Sequence, residues 1–137
     1  MVDVTAALRL IESQLASSGR FPGGVILGQP AAPPETPSAA IFLVAGTANP
    51  HSMTSFIRTR DVAIRIYLDV AEEPRDEAEI NIAEIVYDTE DDIRTNLSLS
   101  ATGWVIMGEV AEVFDYGEVG GRTYRIADIT LPLTYRA

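Results

Sequence analysis

Residues 61–70 read Asp-Val-Ala-Ile-Arg-Ile-Tyr-Leu-Asp-Val, or DVAIRIYLDV. Val62, Ile64, Ile66, Leu68 and Val70 alternate with Ala63, Arg65, Tyr67 and Asp69. A period of two over that length predicts a β-strand with one face in a core and the other polar. Water could satisfy the polar face. A planar guanidinium beside an aromatic ring suits a subunit contact equally well. Arg65, Tyr67 and Asp69 of that face, together with Arg58 and Arg60 just before it, are the candidate interface residues.

Upstream, Ala39–Ala45 (AAIFLVA) is a short apolar run that predicts a second strand. A polar loop is expected from Gly46 to Ser55, with the only histidine, His51, in it. Residues 20–38 mix Gly23, Gly24 and Gly28 with Pro22, Pro30, Pro33, Pro34 and Pro37. Proline removes backbone donors and glycine costs chain entropy, so no regular element is expected there. Such a long segment is either a linker or an arm that orders against a neighbouring subunit. On the second reading, shortening residues 22–37 spares the fold and impairs assembly. Before it, Val4, Ala7, Leu8, Ile11 and Leu15 follow the spacing of one buried helical stripe. Asp3 is a suitable N-cap and Gly19 a left-handed stop.

Downstream, Glu72-Glu73-Pro74 suits the opening of a second helix, with proline near its first position and acids at the positive end of its dipole. Ala78, Ile82, Ile85, Val86, Ile93 and Leu97 supply its buried stripe, and Gly103 turns the chain. Trp104–Glu118 and Arg122–Tyr135 then read as two strands around a Val119-Gly120-Gly121 turn. Ala127, Ile129, Leu131, Leu133 and Tyr135 share a face of the last strand. Pro132 there lacks a ladder donor and predicts an edge or bulge. The whole is one α+β domain over residues 1–137.

Composition narrows the function classes. Of 137 residues, 47% are hydrophobic and 22% charged, the balance of a globular domain rather than a disordered chain. There is no cysteine, so disulfides, thiolate metal sites and cysteine nucleophiles are excluded. No apolar run approaches the ~20 residues of a membrane-spanning helix, and Met1-Val2-Asp3-Val4 has no basic leader character. Synthesis and folding in the cytosol is the expectation. Twenty acids face ten bases, all arginine, for a net charge of -10. A surface this negative repels phosphates, so nucleic-acid binding is not expected.

Candidate chemistry is sparse. Asp88, Asp91 and Asp92 share a helical face but lack the glycine and terminal glutamate of a calcium loop. Apolar residues at 85, 86 and 93 make these acids the wet side of an amphipathic helix. Nothing in the spacing of Glu109, Glu112, Asp115 and Asp128 brings two carboxylates together, and His51 has no histidine or cysteine partner. Phosphate-cradling glycine patterns and a Gly-x-Ser-x-Gly elbow are missing from the sequence. No catalytic residue, cofactor or metal ligand is assigned.

The order of elements resembles the tail-terminator (tail-completion) proteins of long-tailed bacteriophages. The matching stretches are TAALRLIESQLA, the Pro/Gly-rich connection, DVAIRIYLDV, EINIAEIVYDTEDDIRTNL and the closing RTYRIADITLPLTYR. The resemblance implies a small antiparallel or mixed β-sheet sandwich packed by two helices. It also implies a non-enzymatic virion protein at the tail–neck junction. Copies would form a ring, hexameric in that family, that caps the tail tube, ends its polymerisation and joins it to the head connector. Its partners would be itself, the tail tube protein and the connector or neck protein, with DNA only in transit through the lumen and no membrane. Alternatives are another connector, neck or tail-tube component, a small metal-dependent hydrolase, or an unrelated ligand-binding domain. On the ring reading, Arg65→Glu weakens association more than it weakens the monomer.

Overall fold

The computed structural model describes residues 4–50, 56–70 and 75–136. Its elements run α1 (Thr5–Ser17), β1 (Val25–Leu27), β2 (Ser38–Pro50), β3 (Phe56–Asp69), α2 (Arg75–Asn96), β4 (Trp104–Ile106), β5 (Ala111–Val119) and β6 (Arg122–Arg136), with a 3₁₀ turn at Ser100–Thr102. The class is α+β, as expected. The strands form one mixed six-stranded sheet, accompanied by two helices. β1 joins β2 in parallel, while β2–β3, β3–β6, β6–β5 and β6–β4 are antiparallel.

The alternation in β3 organises the rest. Val62, Ile64, Ile66 and Leu68 are buried on the face that receives both helices. Cross-strand pairing puts Ala39 and Ile41 of β2, and Ala127, Ile129 and Leu131 of β6, on that same face. α1 lays Val4, Ala7, Ile11 and Leu15 onto it, and α2 adds Ala78, Ile82, Val86 and Ile93. Each large side chain so buried contributes roughly 1.5–3 kcal/mol, so this layer supplies most of the stabilisation. Gly19 has φ +78° and ends α1 as expected. Asp3, and Glu72-Glu73-Pro74 before α2, lie outside the described residues.

Three expectations are corrected. The Pro/Gly-rich segment contains a strand: β1 pairs Val25, Ile26 and Leu27 with Ala39, Ala40 and Ile41. Ala39 donates to the Gly24 carbonyl at 3.0 Å and Gly28 to that of Ile41 at 2.7 Å, so β1 is tied to β2 on both sides of its three residues. Residues 46–50 are likewise strand, not loop, because β3 continues opposite them and Thr47 pairs with Thr59, their hydroxyls 2.7 Å apart. His51 lies outside the described residues. The span predicted as one strand over 104–118 is two, β4 and β5, both on the same edge of β6.

Pro132 explains that last break. It stands in a central strand, opposite Asp61 of β3. Its carbonyl accepts from Met107 at 2.8 Å, so its missing donor also faces the β4–β5 side, where the ladder is interrupted. At the other end of β5, Gly120 and Gly121 have φ +57° and +82° between the paired Val119 and Arg122. Those are the mirror-image torsions a two-residue hairpin demands.

The far face of the sheet is also covered over part of its area. Ala40, Tyr67, Tyr124 and Ile126 form a second buried cluster, with Phe42 and Val119 packed on it. The Pro-rich segment reaches this cluster: the Tyr124 hydroxyl donates to the Pro34 carbonyl at 3.2 Å, and the Asp69 amide donates to the Thr36 hydroxyl at 3.3 Å.

Candidate functional site

A groove of about 690 Å³ runs between the C-terminal half of α2 and the β4–β5 edge. It follows from the local sequence. β4 is three residues long and the chain leaves the sheet before β5, so α2 overhangs an uncovered strip. Trp104 and Leu131, both 1% exposed, lie at its base beside Ile93. Val105 and Val110 on its strand side are exposed, as is Tyr87 on its helix side.

Glu90 of α2 lines the groove and meets a second carboxylate, Glu112 of β5, beside it. Glu90 lies one position beyond Thr89 in the buried stripe of α2. Glu112 pairs with Ile129, whose side chain is in the helix-facing core, so Glu112 is on the helix side of β5. One Glu90 carboxylate oxygen is shielded from solvent without a hydrogen-bond partner. Burial first, and then the adjoining Glu112 carboxyl, push Glu90 up to about 7. The two acids are 22 positions apart in sequence. No periodicity joins them; only the packing of α2 on the sheet does.

The sign of the resulting pH dependence is fixed. Glu90 binds its proton more tightly in the folded chain than in the unfolded one, where a glutamate titrates near ~4.3. The stabilisation is complete below that unfolded value and disappears as pH rises through about 7. Glu90→Gln is therefore expected to be nearly neutral at pH 4.5. At pH 8 it should be stabilising by about 1 kcal/mol, a value discounted for the partial solvent contact of the side chain. Urea unfolding at both pH values checks this; equal effects at the two would exclude the carboxylate repulsion.

The other charged side chains are mostly engaged within the chain. Arg65 makes a bidentate pair with Asp128 at 2.7 and 2.9 Å and lies over the Phe42 ring at 5.1 Å. Asp128 keeps Arg65 protonated well beyond the ordinary arginine range. Tyr67 is 2% exposed and meets Tyr124 edge-on, and burial raises the pKa of both phenols. Asp69 is 5% exposed and is paired with Arg122. The interface candidates Tyr67 and Asp69 thus sit inside the folded chain, and Arg65 is committed to Asp128. Arg58 and Arg60 are partly exposed on the far end of β3.

The acidic segment divides. Asp92 accepts from Arg20, Gln14 and Asn96 at 2.9, 3.0 and 2.6 Å, clamping α2 to α1 and the chain that follows it. Burial would raise its pKa, but those donors outweigh burial and hold it below the usual carboxylate value. Asp91 pairs with Arg94, and Asp88 is exposed. Among the described residues no group of three or more His, Cys, Asp or Glu side chains is placed to hold a metal ion. No helix of the described residues is long and apolar enough to cross a membrane.

Two strand edges have no partner among the described residues. β1 covers only Ala39–Ile41 of β2, leaving Phe42–Pro50 open on that side. Leu43 and Val44 there are 47% and 59% exposed. At the other side of the sheet the outer edge of β5 is open, with Val113, Phe114 and Tyr116 exposed. Arg125, lying 4.7 Å from the centre of the Tyr116 ring and pairing with Glu79 at 2.6 Å, ties this strand to α2. No protein-family model and no curated protein matches this chain.

Proposed function

We propose that the chain is a structural subunit of a bacteriophage particle, a tail terminator whose copies close into a ring on the end of the tail tube. One observation carries this reading: among the described residues a single sheet ends in two different open edges, β2 on one side and β5 on the other, each with exposed apolar side chains. Open, apolar edges are sites where a further chain adds on. Two unlike patches on opposite sides favour head-to-tail contacts, and head-to-tail contacts close into rings when the rotation per copy permits. The ring would stop tube growth, present its other end to the head connector, and let DNA pass through a lumen without holding it.

Electron micrographs and light scattering of the purified protein test the ring. Addition of purified tail tubes, and separately of purified connectors, distinguishes a terminator from a neck or connector component. The expected result is a ring that binds tube ends and prevents their elongation. A monomer at all concentrations that binds neither particle would end the proposal.

The adjoining Glu90 and Glu112 carboxyls, with Glu90 pushed up to about 7, favour a second reading, a small hydrolase using a carboxyl pair. Calorimetry with Ca²⁺, Mg²⁺ and Mn²⁺ tests its metal-dependent form, which flat traces would remove.

A further inference from the structure

We propose that the groove between α2 and the β4–β5 edge is the seat of a second copy of this chain, filled by the open β2 edge around Leu43, Val44 and Arg60. The inference rests on the assembly reading above and names the surfaces through which it works.

The two surfaces match in chemistry. From Leu43 to Arg60 the sequence has no acid and two cations, Arg58 and Arg60, and the adjoining acid, Asp61, alternates to the opposite face of β3 from Arg60. In a chain of net charge -10, this is a locally basic stretch. The Arg60 side chain crosses toward the β2 edge: a Cβ at Gly46 would stand 2.9 Å from its Nη1, and that nitrogen donates to the Thr47 carbonyl at 3.2 Å. The result is an exposed apolar pair, Leu43 and Val44, with one guanidinium beside it.

The groove is the converse: an apolar trough with an acidic rim. Among the described residues the one cation lining it is Arg94, which is already paired with Asp91. Glu90, on the lining, adjoins Glu112 of β5. An incoming guanidinium relieves their repulsion, and apolar side chains entering beside it displace water from Val105 and Val110. A cation delivered with apolar neighbours fits this site better than water or an anion does.

The chain cannot fill its own groove. β3 is held to β6 in unbroken register from Ile57 to Asp69. The β2 edge is therefore separated from β4 and β5 by two strands, β3 and β6, and Arg60, on β3, is separated from them by β6 and has its guanidinium bonded on the β2 side. The contact must be between copies, and because the patches differ it repeats head to tail.

A charge exchange tests this. Arg60→Glu and Glu112→Arg both alter partly or fully exposed side chains, and circular dichroism verifies that each variant folds. Each alone is expected to weaken self-association at least tenfold in sedimentation equilibrium. Mixed in equal amounts, they are expected to recover the wild-type mass. The carboxylate introduced on β3 of one variant then faces the guanidinium introduced on β5 of the other, while the remaining contact is native. Either variant keeping the wild-type mass alone, or a mixture that stays dissociated, overturns the proposal. So does a wild-type chain that is monomeric at millimolar concentration.

Failure of the two ideas can be told apart. A chain that caps tail tubes while ignoring both substitutions loses only this docking. A chain that associates through these residues and leaves tail tubes untouched keeps the docking and loses the terminator role.

Discussion

Shortening residues 22–37 is expected to cost about 4–6 kcal/mol of stability, a large part of the ~5–15 kcal/mol that holds a typical domain folded. The deletion removes β1 and with it the partly buried Val25 and Leu27, which pack on the main core. Each such side chain is worth roughly 1–2 kcal/mol. It also lengthens the open edge of β2, whose Ala39–Ile41 stretch β1 now covers. On the far face it strips the Pro34 and Thr36 contacts from Tyr124 and from the Asp69 amide, beside a cluster that contains Tyr67 and Ile126. Loss of the cooperative urea transition, or a much lower midpoint, is the expected result. A shortened chain with an unchanged midpoint would mean that the segment is dispensable to the fold. Tyr124→Phe isolates one part of the effect and should cost about 1 kcal/mol, the value of a single neutral hydrogen bond.

Arg65→Glu is expected to destabilise the monomer by about 3 kcal/mol, before any effect on association. It replaces a bidentate pair with two carboxylates on adjacent strands and removes the cation from the Phe42 face. The pair keeps about a quarter of its side-chain surface exposed, 27% and 24%, so solvent screening limits the loss. The double variant Arg65→Glu/Asp128→Arg should recover at least half of it. A lower denaturant midpoint with unchanged slope is the signature of a stability effect. An unchanged midpoint accompanied by a lower assembled mass would restore Arg65 to the role of a subunit contact.

Both outcomes reverse simpler expectations, and for related reasons. Proline and glycine disfavour regular structure locally, but a segment that pairs with β2 for three residues can still lie across a sheet face. A polar face that alternates with a core face looks free in one dimension. Arg65 meets Asp128 only because β3 and β6, 63 positions apart at those residues, are neighbours in the sheet.

Local pattern was enough for the rest. The spacing of Ala7, Ile11 and Leu15, and of Ala78, Ile82, Val86 and Ile93, determined two amphipathic helices, and the alternation of residues 62–68 and 127–133 determined two half-buried strands. Gly19 and the Gly120-Gly121 pair fixed a helix end and a turn through backbone torsions that side chains resist. These features depend on residues a few positions apart, which is the range over which a one-dimensional pattern carries information. The tertiary structure alone decided that β4 and β5 share one edge of β6, that β2 and β5 are left open, and that Glu90 and Glu112 meet beside a groove. Each of those facts is a contact between distant segments, set by which surfaces bury together when the helices close on the sheet.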